Sequence, residues 1–345
     1  MAKIVITDDG IEFDGRTPES FPLGGAESSL IALAETLASR GHQVSVYNMC
    51  RSSVDYKGVR WRPIYGELPE TADLYIANRG DKLLKYVPKA KKVVFWCHNP
   101  ANYMLKWRYI YKLWKRRPVV VFIGKYHAKT FPGWVPDGGR RTIPYGVSDI
   151  FCMSKIASQP PSPRAIFLSN PLRGLDWLLD RWSIEIQPYV KNSELHIFSG
   201  PATYGSKGGC KSQEMETVLN YARGLSQQSV VLRAPVPKER LVLELGLSRC
   251  LLYRGDPNET FCSAVAEAQA MGVPCVVTDL GSMKERVVDG KTGFIVRDDK
   301  AFSDAARKLL EDDEVWRFQH GFALEKQRGW RWSDAALAFE EIINT

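Results

Sequence analysis

Apolar residues along this chain follow two alternating rhythms. Compact apolar runs occur in the first half at "AKIVIT", "QVSVYN", "DLYIAN", "KVVFWC" and "PVVVFI". In the second half they recur at "RAIFLS", "ELHIFS", "SVVLRA", "RCLLYR" and "PCVVTD". Runs of this length, rich in branched and aromatic residues, predict strands. Between them the apolar positions take helical spacing: Leu30, Leu33, Ala34 and Leu37 follow Gly24-Gly25, and Gly41 closes that helix. Strands alternating with helices predict an α/β protein with two parallel sheets, each covered by helices on both faces. The Pro- and Ser-rich segment "SKIASQPPSPR" reads as the linker. It divides a first domain, residues 1–155, from a second, residues 156–329. The amphipathic stretch "WRWSDAALAFEEII", within residues 330–345, is expected to form a helix that packs back on the first domain.

Composition narrows the class. With 44% hydrophobic and 25% charged residues, the 345-residue chain has the make-up of a soluble globular protein of two domains. No apolar run approaches the ~18 residues of a membrane-crossing helix, and the start has no signal-peptide layout. Seven scattered cysteines without CxxC spacing imply reduced thiols, a cytoplasmic location and no zinc site. The net charge of +8 is uneven. Residues 1–150 hold 23 basic and 14 acidic side chains, net +9, whereas residues 151–345 hold 24 and 25, net −1. Eleven of the basic residues fall between Lys82 and Arg117, where no acid interrupts them. Such a half suggests nucleic acid, an anionic membrane surface or an anionic small substrate.

Open parallel sheets bind ligands at the carboxyl ends of their strands, so residues just after strands are the candidates for chemistry. "NETFCSAVAEAQAMGVP" follows the strand "RCLLYR" and places Glu259 at a loop–helix boundary, with the helix expected to begin about Thr260. Glu267 then lies two turns along that helix, among small residues that leave room for a ligand. A carboxylate accepts two hydrogen bonds from a vicinal diol such as a ribose. The spacing is equally compatible with an N-terminal helix charge and a surface glutamate. Gly24 and Gly25 allow backbone N–H groups to approach an anion, and equally suit an ordinary loop–helix junction. His98 ends a strand, where it could contact a sugar or serve structure alone. "GPATYGSKGG" only approximates a phosphate loop, because Ser206 separates Gly205 from Lys207, and no GxGxxG follows the first strand. "YMLKWRYIYKLWKRR" interleaves Lys106, Arg108, Lys112, Lys115, Arg116 and Arg117 with Trp107, Tyr109, Tyr111 and Trp114. That mixture fits an anionic membrane interface or a solvated helix with inward aromatics. No RNA-binding motif accompanies it, and nucleic acid is not expected as a partner.

The stretch Asn258 to Val296, with two glutamates separated by seven residues, Gly-x-Pro and a Gly-Phe turn after "DG", resembles the C-terminal signature of retaining glycosyltransferases of family 4. "GGAESSLIALAETLASRGHQVSVYN", "IPYGVSDIF" and "RGLDWLL" resemble further segments of that family, so the likeness covers most of the chain. The resemblance implies a GT-B fold, two doubly wound Rossmann-like domains facing a central cleft. It also implies a donor that is a nucleotide-diphosphate sugar, on UDP or GDP, and a glycan, lipid-linked or small-molecule acceptor. Neither metal nor cofactor is expected. By resemblance Glu267 would hold the ribose, Glu259 the transferred sugar, and the N–H groups of Thr260 and Phe261 the sugar or phosphate. Arg173, in "LSNPLRG", matches the family's phosphate-binding lysine, while Ser169 or Asn170 stands where the family has an arginine, leaving Lys207 or another cation to share that task. Arg233 to Val236 would line the base pocket. A nucleotide-sugar epimerase of the same fold and a basic nucleic-acid-binding protein are the rival readings.

Overall fold

The computed structural model describes residues 1–200 and 212–344. It divides into two compact units, Met1–Gly146 with Arg331–Thr345, and Val147–Trp330. The division falls at Gly146, ahead of the Pro- and Ser-rich segment.

In the first unit eight strands form one sheet. They are β1 (Lys3–Asp8), β2 (Gln43–Asn48), β3 (Val54–Tyr56), β4 (Val59–Pro63), β5 (Thr71–Asn78), β6 (Lys89–Trp96), β7 (Val119–Phe122) and β8 (Arg140–Thr142). Their order is β3-β4-β2-β1-β5-β6-β7-β8, and every pairing but β3 with β4 is parallel. Ile4, Val5, Ile6, Leu74 and Ile76 are fully buried, as strands covered on both faces must be. The helix Gly25–Ser39 turns Leu30, Leu33, Ala34 and Leu37 inward. The last helix, Trp332–Asn344, belongs to this unit. Phe339 packs edge-on to Trp96 with ring centroids 5.3 Å apart, and Glu340 accepts two bonds from Arg40 at 2.6 and 2.9 Å.

The second unit has six strands: β9 (Arg164–Phe167), β10 (Glu194–Phe198), β11 (Val230–Arg233), β12 (Cys250–Tyr253), β13 (Cys275–Thr278) and β14 (Gly293–Val296). All are parallel, in the order β11-β10-β9-β12-β13-β14. The chain therefore leaves β9 first toward one edge of the sheet and, from β12, toward the other. The loops after β9 and β12 adjoin the point where the order reverses, the ligand position of doubly wound sheets. The first unit repeats the arrangement, with its reversal between β1 and β5.

Each run expected to be a strand is one. The strands that periodicity did not reveal are β3, β4, β8 and β14. Three of them are short and polar, and β14 opens on the glycine of the "DG…GF" turn.

Candidate active site

Two clusters occupy the two reversal points. In the second unit, Arg173 follows β9 and Glu259 follows β12, and their side chains form an ion pair through Arg173 Nη1 and Glu259 Oε2. Tyr253, the last residue of β12, donates its hydroxyl to the same oxygen at 3.1 Å. The other oxygen of Glu259 accepts the backbone N–H of Cys262 at 3.2 Å. A carboxylate that is only 8% exposed is thus compensated on both oxygens, which answers the cost of burying it.

The helix expected from about Thr260 begins later, at Ser263, and ends at Ala270. Cys262 precedes it in the left-handed region at φ 66°, an uncommon conformation for a residue with a side chain. Thr260 and Phe261 therefore lie in a buried loop ahead of the helix rather than in its first turn. That loop is braced from behind by the turn at Gly281, whose φ is 57°. A Cβ at Gly281 would stand 2.4 Å from the Asp256 carbonyl oxygen and 2.7 Å from that of Glu259, so only glycine lets the turn approach so closely.

Glu267 lies in the second turn of the same helix and accepts from Lys238 Nζ at 2.6 Å. Lys238 opens the preceding helix, Lys238–Gly246, just after Val236, which is half-buried. Arg233 ends β11, with its guanidinium 5.8 Å from the Phe198 ring and 3.6 Å from Glu244. Arg286 reaches the loop as well, stacking 4.2 Å above the Phe261 ring. Burial pushes its guanidinium below the ordinary arginine value. Where the family resemblance placed an arginine, Asn170 caps the backbone N–H of Leu172 and Ser169 accepts from Ser199. Lys207 lies outside the described residues.

The cluster in the first unit is more closed. Asp8 ends β1 and Asn78 ends β5, and the two are register partners across the reversal point. Arg79 donates to Asp8 at 3.0 Å and to Glu27 at 2.8 Å. Burial works to lower the Arg79 pKa, but Asp8 and Glu27 outweigh it and hold the guanidinium above its ordinary value. Gly24 explains how Glu27 reaches inward, because a Cβ there would sit 2.6 Å from a Glu27 oxygen. Gly25 begins the helix itself.

His98 belongs to the same network. Its Nε2 bonds Asn78 Oδ1, and its Nδ1 bonds the Tyr145 hydroxyl. Asp8 can only accept, so Asn78 presents its amide NH2 to Asp8, at 2.7 Å, and its carbonyl oxygen to His98. That fixes the proton on Nε2 and makes Nδ1 the acceptor of the tyrosine hydrogen. Burial, with Arg79 and His127 nearby, holds the His98 pKa well below the usual histidine value, so the ring is neutral at pH 7. Both ring nitrogens are engaged within the unit, and a sugar contact through either requires an exchange of partner.

The charged partners Arg79, Asp8, Glu27 and Lys238, together with Tyr253, were not singled out from sequence. The strand ends were a general cue for Asp8 and Arg79. Lys238 had none beyond its nearness to the "RAPV" segment.

The profile of the glycosyl transferases group 1 family matches residues 163–312. This segment is a glycosyl transferases group 1 domain. It contains Arg173, Arg233, Val236, Glu259, Thr260, Phe261 and Glu267, the whole reversal-point cluster of the second unit. Among curated relatives, D-inositol 3-phosphate glycosyltransferase of Corynebacterium urealyticum is 29% identical over 151 residues, 43% of this chain and 34% of that protein. N-acetyl-alpha-D-glucosaminyl L-malate synthase of Bacillus anthracis is 33% identical over 106 residues, 30% of this chain and 27% of that protein. The matched segments span about a third or less of those relatives' length. Among solved structures, sucrose-phosphate synthase from Thermosynechococcus elongatus superposes with a TM-score of 0.75 at 15% identity, over 99% of this chain and 98% of that one. Anabaena HepE in complex with UDP-glucose has a TM-score of 0.75 at 14% identity, with all of both chains covered. The fold is GT-B.

Proposed function

We propose that the chain is a retaining, metal-independent glycosyltransferase that moves a hexose from a nucleotide-diphosphate sugar to a hydroxyl acceptor. The observation that carries this reading is the pairing of Arg173 with Glu259 at the reversal point of a group 1 domain. Ion pairs hold both carboxylates in place before a donor arrives. Ribose hydroxyls take over Glu267 from Lys238, and sugar hydroxyls take over Glu259 from Arg173. The guanidinium of Arg173 is then available to the diphosphate, where negative charge grows as the bond to the sugar breaks. The acceptor oxygen attacks C1 from the face the phosphate leaves. The new C1–O bond forms as the C1–O(phosphate) bond breaks, and the acceptor's proton passes to the departing phosphate. The protein's contribution is orientation and electrostatic stabilisation.

UDP or GDP is the carrier, and HepE, solved with UDP-glucose, favours testing UDP first. The acceptor is a glycan, a lipid-linked sugar or a small molecule. The two curated relatives above, named for D-inositol 3-phosphate and L-malate, make small anionic hydroxyl compounds a natural first panel. The enzyme works in the cytoplasm, peripheral to the inner face of the membrane. No helix among the described residues is long and apolar enough to cross a bilayer.

A thermal-shift screen of UDP, GDP, ADP and their sugars tests the reading, because a ligand that binds the native state raises the melting temperature. A rise with one nucleotide and its sugar is expected, and transfer should survive EDTA with retained anomeric configuration. No response to any nucleotide sinks the proposal.

A further inference from the structure

The helix Trp107–Arg116 carries two apolar faces, and the fold uses only one. Tyr109 and Leu113 point inward and are buried. Trp107, Ile110, Tyr111 and Trp114 recur at the spacing of a single helical stripe, on the side opposite to Tyr109 and Leu113. With Pro136 they line a shallow apolar groove. Trp107 is 77% and Trp114 62% exposed. Trp134, in the same loop as Pro136, is 66% exposed. Of the chain's ten tryptophans, the exposed ones among the described residues are these three. Exposed apolar surface concentrated in this way marks a site of interaction.

The cations around the stripe fall into two groups. Arg108 and Lys112 both pair with Asp81, at 3.7 and 2.6 Å, and Arg116 donates to the carbonyl oxygens of Pro88 and Val87 at 2.9 and 2.5 Å. These three stitch the helix to its own unit. Lys106, Lys115 and Arg117 are exposed and make no ion pair among the described residues. Lys115 borders the aromatic stripe along the helix, while Lys106 and Arg117 stand at its two ends, the first extended and the second left-handed. An apolar stripe of rings with cations at its margins complements a surface whose interior is apolar and whose border is anionic.

We propose that this helix lies flat in the interface of an anionic bilayer, with Trp107, Tyr111, Trp114 and Trp134 entering the headgroup layer and Lys106, Lys115 and Arg117 meeting lipid phosphates. Indole and phenol rings suit that layer because one part of each is apolar and another forms hydrogen bonds. A second copy of the chain is a poor occupant, since a symmetric contact sets the two cationic borders against each other. Single-stranded nucleic acid would use the rings for stacking. Ile110 and Pro136, which line the same groove, offer no ring face for it. The inference rests on the peripheral placement proposed above and is independent of the transfer chemistry.

Co-sedimentation with vesicles of phosphatidylcholine, alone or with phosphatidylglycerol, tests it. The full chain should bind the anionic vesicles at low salt and detach as ionic strength rises. The Trp107→Ser/Trp114→Ser variant should bind about tenfold or more weakly. The Lys106→Gln/Lys115→Gln/Arg117→Gln variant should lose the preference for phosphatidylglycerol, about a hundredfold in affinity. Circular dichroism checks that each variant is folded. Quenching of the wild-type tryptophans by brominated lipid gives a second readout that needs no variant. A wild-type chain that ignores anionic vesicles overturns both the docking face and the peripheral placement. Wild-type binding with no bromolipid quenching, or undiminished in the folded tryptophan variant, overturns the face alone. An oligonucleotide that binds the same helix and displaces vesicles assigns the face to nucleic acid instead.

Discussion

The two reversal points use the same sheet topology for different electrostatic ends. In the first unit, Arg79 lies between Asp8, fully buried, and Glu27, and the chain continues from Asn78 into a neutral histidine. In the second, Arg173 is more than a third exposed and meets Glu259 from the solvent side, while Glu267 is met by a half-exposed lysine. The first arrangement removes charge from water and satisfies it internally. The second leaves its cations able to exchange partners. A buried network fixes geometry, whereas a rim pair can release a carboxylate to a ligand at small cost.

The sharpest way to break the comparison is to remove the central cation of each cluster. Arg79→Met leaves the fully buried Asp8 with no cation, only the neutral donors of Asn78 and the Gly10 N–H, and should destabilise the protein by about 3–5 kcal/mol in urea unfolding. A loss near zero would mean that the network is not closed. Arg173→Ala should cost less stability, because Arg173 is more than a third exposed and its partner keeps Tyr253 and the Cys262 N–H. It should slow sugar transfer by about 10²–10³-fold while free nucleoside binding stays near wild type. An Arg173 variant with wild-type turnover would show that the phosphate is held elsewhere, with Arg286 or Lys207 the next to test.

The second cluster can then be divided along its own helix. Glu267→Ala should weaken nucleoside diphosphate binding by about 1–3 kcal/mol. Glu259→Ala should leave that binding intact and lower turnover. Calorimetry that finds equal nucleotide affinity in both variants and wild type removes the assignment of opposite donor ends. The smallest effect concerns protons. Burial lowers the His127 pKa to about 4, and that of His98 lies well below the usual value. The unfolded chain therefore binds more protons than the folded one below about pH 6.5, so stability is full above that pH and falls as the solution is acidified. His127 contributes about 1 kcal/mol of loss between pH 7 and 5.5, and His127→Gln should flatten that slope in melting temperature by a corresponding amount.

The strands of both sheets were visible in the sequence because a strand buried on both faces must be apolar at nearly every position. Edge strands such as β3 and β8 were not, since one side meets water and little apolar surface is needed. Glu259 and Glu267 stood out by their spacing after a strand, and Arg173 by the family resemblance of its loop, although Glu259 lies in the loop ahead of the helix that carries Glu267. Membrane docking by the "KWRYIYKLWKRR" segment also began as a sequence reading, which counted all its cations alike. The fold separated Arg108, Lys112 and Arg116, which bind the helix to its own unit, from the cations left to solvent.

By itself the sequence determined the α/β class, the alternation of strands and helices, and the position of the carboxylate pair. Only the tertiary structure decided what those groups touch. Arg79 meets Asp8 across 71 positions of sequence, and Arg173 meets Glu259 across 86. Pairings at such separations depend on the order of strands in the sheet, which no local periodicity encodes. The same holds for the tautomer of His98 and the late start of the helix at Ser263. The first follows from an acceptor on a neighbouring strand, and the second from a left-handed residue held in place by the loop packed behind it.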